Sequence, residues 1–194
     1  MDEKLKKILK TNEEIQWMGQ PEKTPLLAGQ AGKNIIVRWI ICAVLAVVLT
    51  AVYWFYCDGH DGTEFNAIML IFTIGIPVAI AWSPVGENKK LTALHYVITD
   101  QRVIMYHGEI NFSMDRSRVD EIRVRALENG NSAIYFGKPA FEVKDSKVRY
   151  IAAHGISEHI DSENVTVGTI LYNVKDADKI CALFAGKAKV QTVA

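Results

Sequence analysis

Three constellations in this 194-residue sequence have residue types able to do chemistry. His154, Glu158 and His159 bring together two imidazoles and a carboxylate, the donor types of a zinc site. The two histidines are five positions apart, however, and not the four that would put both on one helical face. Asp58-Gly59-His60-Asp61-Gly62 offers oxygen ligands to a hard cation but lacks the later carboxylate that completes a calcium loop. Cys42, Cys57 and Cys181 form neither a disulfide framework nor a zinc spacing. There is no glycine-rich phosphate loop, no dinucleotide fingerprint, and no Ser or Cys spaced with a His as a nucleophile would need. The expectation is a protein without a metal or cofactor, and not an enzyme.

Anion binding is the chemistry left. Lys89, Lys90, Arg102, Arg123 and Arg125 are the candidates for a lipid headgroup or another anionic ligand, with Arg123 and Arg125 sharing a strand face by their spacing of two. Their setting is not strongly basic. The whole chain balances 22 Lys and Arg against 22 Asp and Glu, and from residue 88 onward the count is 15 against 13. That balance describes a mixed solvated surface and argues against a nucleic-acid partner.

What positions any of these residues is a pair of apolar runs. Residues 39–57 and 65–85 hold no Asp or Lys and no Arg, and past Glu64 no Glu, so a polar loop separates two stretches of about the length that crosses a bilayer. They predict a transmembrane helical hairpin. Lysines flank the hairpin (Lys23, Lys33 and Arg38 before it, Lys89 and Lys90 after), whereas the loop carries Asp58, Asp61 and Glu64. Positive residues stay on the cytoplasmic side, so both termini are expected there, in a multi-pass protein of the cell membrane. A cleaved signal peptide does not fit, because the first run starts deep in the chain and a second follows at once. Within the spans, Cys42, Ala46 and Thr50 recur every four residues, as do Gly75, Ala79 and Ser83, a spacing that lets helices pack closely on each other or on a second copy. Pro77 should kink the second helix.

The expected domains are an N-terminal arm (1–33), the hairpin (34–87) and a soluble domain (88–194). In the arm, Leu5, Ile8 and Leu9 share one helical face, suited to the inner leaflet or to the soluble domain. Residues 14–21 read as an extended piece, and Ile15 and Trp17 need a surface to cover, at the domain or its junction with the membrane. After the hairpin the period changes to two. Strands are expected at 94–99, 102–106, 110–114, 121–126 and 133–137, with the Asn129-Gly130 turn joining the last two. Further strands are expected within 141–153 and 165–171, with an acidic loop over 155–164. Ala177, Ile180, Leu183 and Phe184 form the apolar face of a closing helix over about 176–186, with Asp176 as its N-cap.

Tyr96-Val97-Ile98-Thr99-Asp100-Gln101-Arg102 resembles the opening hairpin of bacterial pleckstrin-homology-like (PH-like) domains, where the pattern is Tyr-x-Ile-Thr-Asp-x-Arg. Leu171 to Asp178 is similar to their closing segment, and Trp17-x-Gly19-x-Pro21 to the arm preceding the membrane hairpin in many such proteins. The resemblance implies an α+β fold: a bent antiparallel sheet or half-barrel closed by a C-terminal helix, following the two-helix hairpin. Phosphoinositide-binding PH domains carry Lys and Arg in the first hairpin, whereas here the turn has only Arg102 after it. The expected function is therefore a non-enzymatic membrane protein whose PH-like domain serves protein interaction or assembly. Its partners would be membrane lipids and either a second protein or a second copy. The alternative is an anionic lipid or ligand sensor.

Overall fold

The two-residue alternation after residue 93 folds as a meander. β2 (His95–Thr99), β3 (Arg102–His107) and β4 (Ile110–Asp115) pair antiparallel in chain order, with Tyr96 opposite Met105 and Val103 opposite Met114. The computed structural model describes residues 3–23, 25–27, 29–60, 66–108, 110–137, 145–161 and 164–193. They divide into two compact units, Met1–Lys23 with Glu87–Ala194, and Thr24–Gly86.

A fourth strand reaches the meander from the far side of the hairpin. β1 (Ile15–Gly19) lies antiparallel on β2, with Trp17 opposite Ile98 and Gly19 opposite Tyr96. In a regular strand residues 15 and 17 would share a face. A register shift between them, one extra residue at Gln16, sends them to opposite faces instead. Ile15 joins a cluster of Leu5, Val97, Ile104 and Tyr106, while Trp17 packs on the main core. The indole also lies over Gly19, where a Cβ would come within 2.5 Å of the ring. The Trp-x-Gly spacing thus has a steric cause. α1 (Glu3–Ile8) drops Leu5, fully buried, into the same cluster as Ile15, so of the two surfaces open to this helix it covers the domain.

The second sheet contains β5 (Glu121–Ala126), β6 (Ser132–Gly137), β7 (Ile156–Asp161), β8 (Asn164–Val174) and β9 (Lys189–Val193), in the order β7-β8-β6-β5-β9. β5 and β6 pair through the Asn129-Gly130 turn, as expected, with Gly130 at φ +80° and its amide donating to Leu127 O at 3.0 Å. Ile98, Met105 and Met114 from the first sheet share one core with Ile122, Ile134, Phe136 and Leu171 from the second. α5 (Ala177–Ala182) and the turn after it insert Ile180 and Phe184 into that core, the Phe184 ring 5.1 Å from that of Phe136.

Three sequence expectations change. The strand expected within 141–153 is α4 (Asp145–His154), residues 141–144 lying outside the described ones. Val148, Tyr150 and Ala152 alternate as a strand would, but Val148 and Ala152 are also one helical turn apart, and they are buried while Tyr150 is exposed. The loop expected over 155–164 contains β7, paired with β8 from Ile156 opposite Thr169 to Asp161 opposite Asn164. The closing helix ends at Ala182, and the chain returns as β9, which pairs parallel with β5, Ile122 opposite Val190.

The other unit holds α2 (Gly29–Asp58) and most of α3 (Ala67–Thr92). Both are long and apolar enough to cross a membrane. Val47 is 69% exposed and Phe55 73%, so these are not core helices of a soluble domain. The covered face of α2 runs through Trp39, Cys42, Ala46, Thr50 and Tyr53, the three-and-four spacing of helix packing. Trp39 Nε1 donates to Ala81 O at 2.8 Å, and Asn66 N donates to the Tyr53 hydroxyl at 2.8 Å.

Candidate functional site

The β2–β3 turn is where the described polar chemistry concentrates. Thr99 sits at its start with its hydroxyl accepting from the Arg102 and Gln101 amides at 2.8 and 3.2 Å, which fixes the turn. The same hydroxyl donates to Glu13 Oε1 at 2.8 Å. Arg102 then grips Glu13 with both ends of its fork, Nε to Oε1 at 2.9 Å and Nη2 to Oε2 at 2.6 Å. Its other donors reach Ile8 O at 3.2 Å and Ser113 Oγ at 3.4 Å. Asp100 completes the grip: its Oδ1 accepts from Glu14 N at 2.9 Å and its amide donates to Glu14 O at 3.0 Å. The Thr-Asp-x-Arg turn is a clamp on the arm.

The pair is shielded, the Glu13 side chain 0% and the Arg102 side chain 10% exposed. The Arg102 hydrogen bonds, aided by the Lys10 amide and Thr99 and opposed by burial, hold the Glu13 carboxyl at about 2. Glu13 in turn pushes the Arg102 guanidinium above its ordinary value.

A second clamp lies at the end of β8. Asn173 is fully buried with φ +59°, and its Oδ1 accepts from Asn129 Nδ2 and Asn131 Nδ2, each at 2.8 Å. Its Nδ2 donates to Glu22 O, its carbonyl accepts from Glu22 N at 3.0 Å, and Lys175 pairs with the Glu22 carboxylate at 2.9 Å. A third connector is Arg116, which donates to Gln16 Oε1, Thr99 O and Leu183 O and lies 4.4 Å over the Phe184 ring. Burial pulls its guanidinium below the ordinary value. The last turn of α3 is held likewise: Leu91 is in the core, and Arg149, buried on α4, donates to Asn88 Oδ1.

The five basic candidates therefore separate. Arg102 is engaged inside the protein by Glu13, and Arg123 pairs with Glu121 at 2.6 Å. Arg125 is half-buried on β5, and Lys89 and Lys90 are exposed in the last turns of α3. Of the packing stripes, Cys42 is buried and Ala46 and Thr50 half-buried, while Gly75 is half-buried and Ala79 and Ser83 exposed. His154 donates to or accepts from nothing but its own helix in the described set, with Nδ1 2.8 Å from Tyr150 O and its ring 4.1 Å from that of Tyr150 in a tilted arrangement. The side chains of Glu158 and His159 lie outside the described residues, as does the structure of residues 61–65. Among the described residues no three His, Cys, Asp or Glu side chains gather as a metal would require. Sequence reasoning missed Glu13, Glu22, Arg116 and Asn173, whose partners are up to 151 positions away. No family model, no curated protein and no solved structure matches this chain.

Proposed function

We propose that this is a non-enzymatic integral membrane protein whose cytoplasmic domain is PH-like and serves protein interaction or assembly at the inner face of the membrane. The observation that carries the reading is the pairing of β1 with β2 on either side of the hairpin. Paired strands share a compartment, so the chain between them crosses the membrane an even number of times. Two apolar helices of sufficient length meet that requirement, and the lysines at both ends support an inside location for the shared compartment. Two open sheets closed by a C-terminal helix that buries Ile180 and Phe184 support the PH-like assignment. The domain is already held at the membrane by its own chain, so it needs no headgroup affinity for recruitment. Engagement of Arg102 by Glu13 and of Arg123 by Glu121 weighs against the anionic-ligand alternative.

The test is reconstitution of the full chain into zwitterionic vesicles and into vesicles rich in anionic lipid. The proposal expects the same thermal midpoint and protease protection of the domain in both. A shift in the anionic vesicles that disappears when Lys89 and Lys90 are changed to Glu would replace it with headgroup binding.

A further inference from the structure

Each open sheet has two edges, and an edge strand with unpaired backbone groups is a template for another strand. Three of the four edges are blunted. β1 carries its register shift and ends at Gly19-Gln20-Pro21. β4 lies against β7, and β7 carries Glu158 and Asp161 in its sequence. Of these devices β9 has only a charge at its first residue, Lys189. Its sequence, Lys-Val-Gln-Thr-Val, contains no Pro, Gly or acidic residue, and two of its central positions are β-branched. Lys189 through Thr192 are all exposed, Val190 47% so, and none of them belongs to the core. Its inner edge is satisfied by β5, and among the described residues its outer edge pairs with nothing.

We propose that the outer edge of β9 pairs antiparallel with β9 of a second copy of this chain, joining two five-stranded sheets into one across a two-fold axis. The charge pattern selects a second copy. In an antiparallel pair centred on Gln191, residues 189 and 193 face each other, so the strand's one charge, Lys189, meets Val193 of the other copy and never itself. A ladder of five residues is weak between freely diffusing proteins, and confinement in a common membrane raises the local concentration that makes it effective. The proposal rests in that respect on the membrane placement above.

The test is oxidative crosslinking of Gln191→Cys in full-length protein in membranes, against wild type, which retains Cys42, Cys57 and Cys181. Lys187→Cys, exposed in the turn before β9, is the control for random collision. A disulfide-linked dimer specific to Gln191→Cys, and lost when Val190→Lys is added to place like charges at the seam, is the expected result. Crosslinking no greater than that of Lys187→Cys, or undiminished by Val190→Lys, overturns the proposal. Val190 is 47% exposed, and unchanged thermal midpoints in these variants will show that loss of the dimer is not loss of the fold. Failure here leaves the partner reading standing, since the vesicle comparison does not involve β9.

Discussion

At the scale of single residues, Glu13 and Arg102 carry the largest individual consequence. Removing one member of a shielded, bidentate pair leaves the other charge uncompensated, so Arg102→Ala should cost about 3 kcal/mol, read as a fall in the thermal midpoint of the domain in detergent. Arg102→Lys should recover only part of it, because an ammonium cannot reproduce the two-pronged contact. The pH dependence has a definite sign. Folding lowers the Glu13 carboxyl to about 2, so the stability it contributes is complete above the unfolded value near 4.5 and is lost as pH falls from there toward 2. Between pH ~6 and ~3 the wild type should lose about 2 kcal/mol from this source, a loss absent from Glu13→Gln, and parallel pH profiles for the two proteins would remove the assignment. Asn173 separates backbone from side chain. Both Asn173→Gly and Asn173→Ala lose the side-chain links to Glu22 O, Asn129 and Asn131, but only alanine is also strained at φ +59°, so it should be the less stable by roughly 1 kcal/mol in the same melt. The sequence shows Thr99-Asp100-Gln101-Arg102 as turn chemistry plainly enough, since Thr, Asp and a following strand are a local signal. It does not show the purpose of Arg102, because Glu13 lies 89 positions upstream with the whole hairpin between them.

At the scale of elements, β1 shows both the reach and the limit of pattern reading. Trp17 demands cover because of its size, and that demand predicts docking on the domain or at its junction with the membrane, without choosing between them. The bulge at Gln16 that splits Ile15 from Trp17 has no mark in the sequence, since it depends on how β1 registers against β2. Trp17→Ala should lower the domain's midpoint by an amount equivalent to about 2 kcal/mol, reflecting a half-buried indole, and should expose the arm to protease. Gly19→Ala should do less damage to the fold yet displace the indole it would collide with, seen as a change in Trp17 fluorescence in a protein whose other tryptophans are replaced by Phe. The hairpin, the Asn129-Gly130 turn and the closing helix are legible because each has a strong local signal: apolar length, turn chemistry, an apolar helical face. α4 and β7 are not, because a short segment such as Val148 to Ala152 satisfies two periods at once and only the surface it meets chooses between them. β9 escapes notice for the opposite reason, having no buried face to leave a pattern.

At the scale of the whole molecule, one topological feature matters most: the two long apolar helices are an insertion between two neighbouring strands of one sheet. The clamps at Glu22 and Asn88 act on chain close to the two apolar helices, and that at Glu13 on the chain leading into β1, so together they fix both roots of the insertion to the same domain. Cysteine labelling should accordingly reach His60→Cys only from outside intact cells and Tyr150→Cys only from inside, and external labelling at position 150 would invert the orientation. The most direct measurement joins β1 to β2 covalently. Met18 and Val97 are cross-strand partners, a separation a disulfide can bridge. Full-length protein carrying Met18→Cys, Val97→Cys and a protease site inserted in the loop between the apolar helices would be oxidised with a membrane-permeant reagent and cut from outside intact cells. The two fragments should stay joined on a non-reducing gel and separate only on reduction; fragments that separate without reductant would contradict the pairing, and with it the insertion.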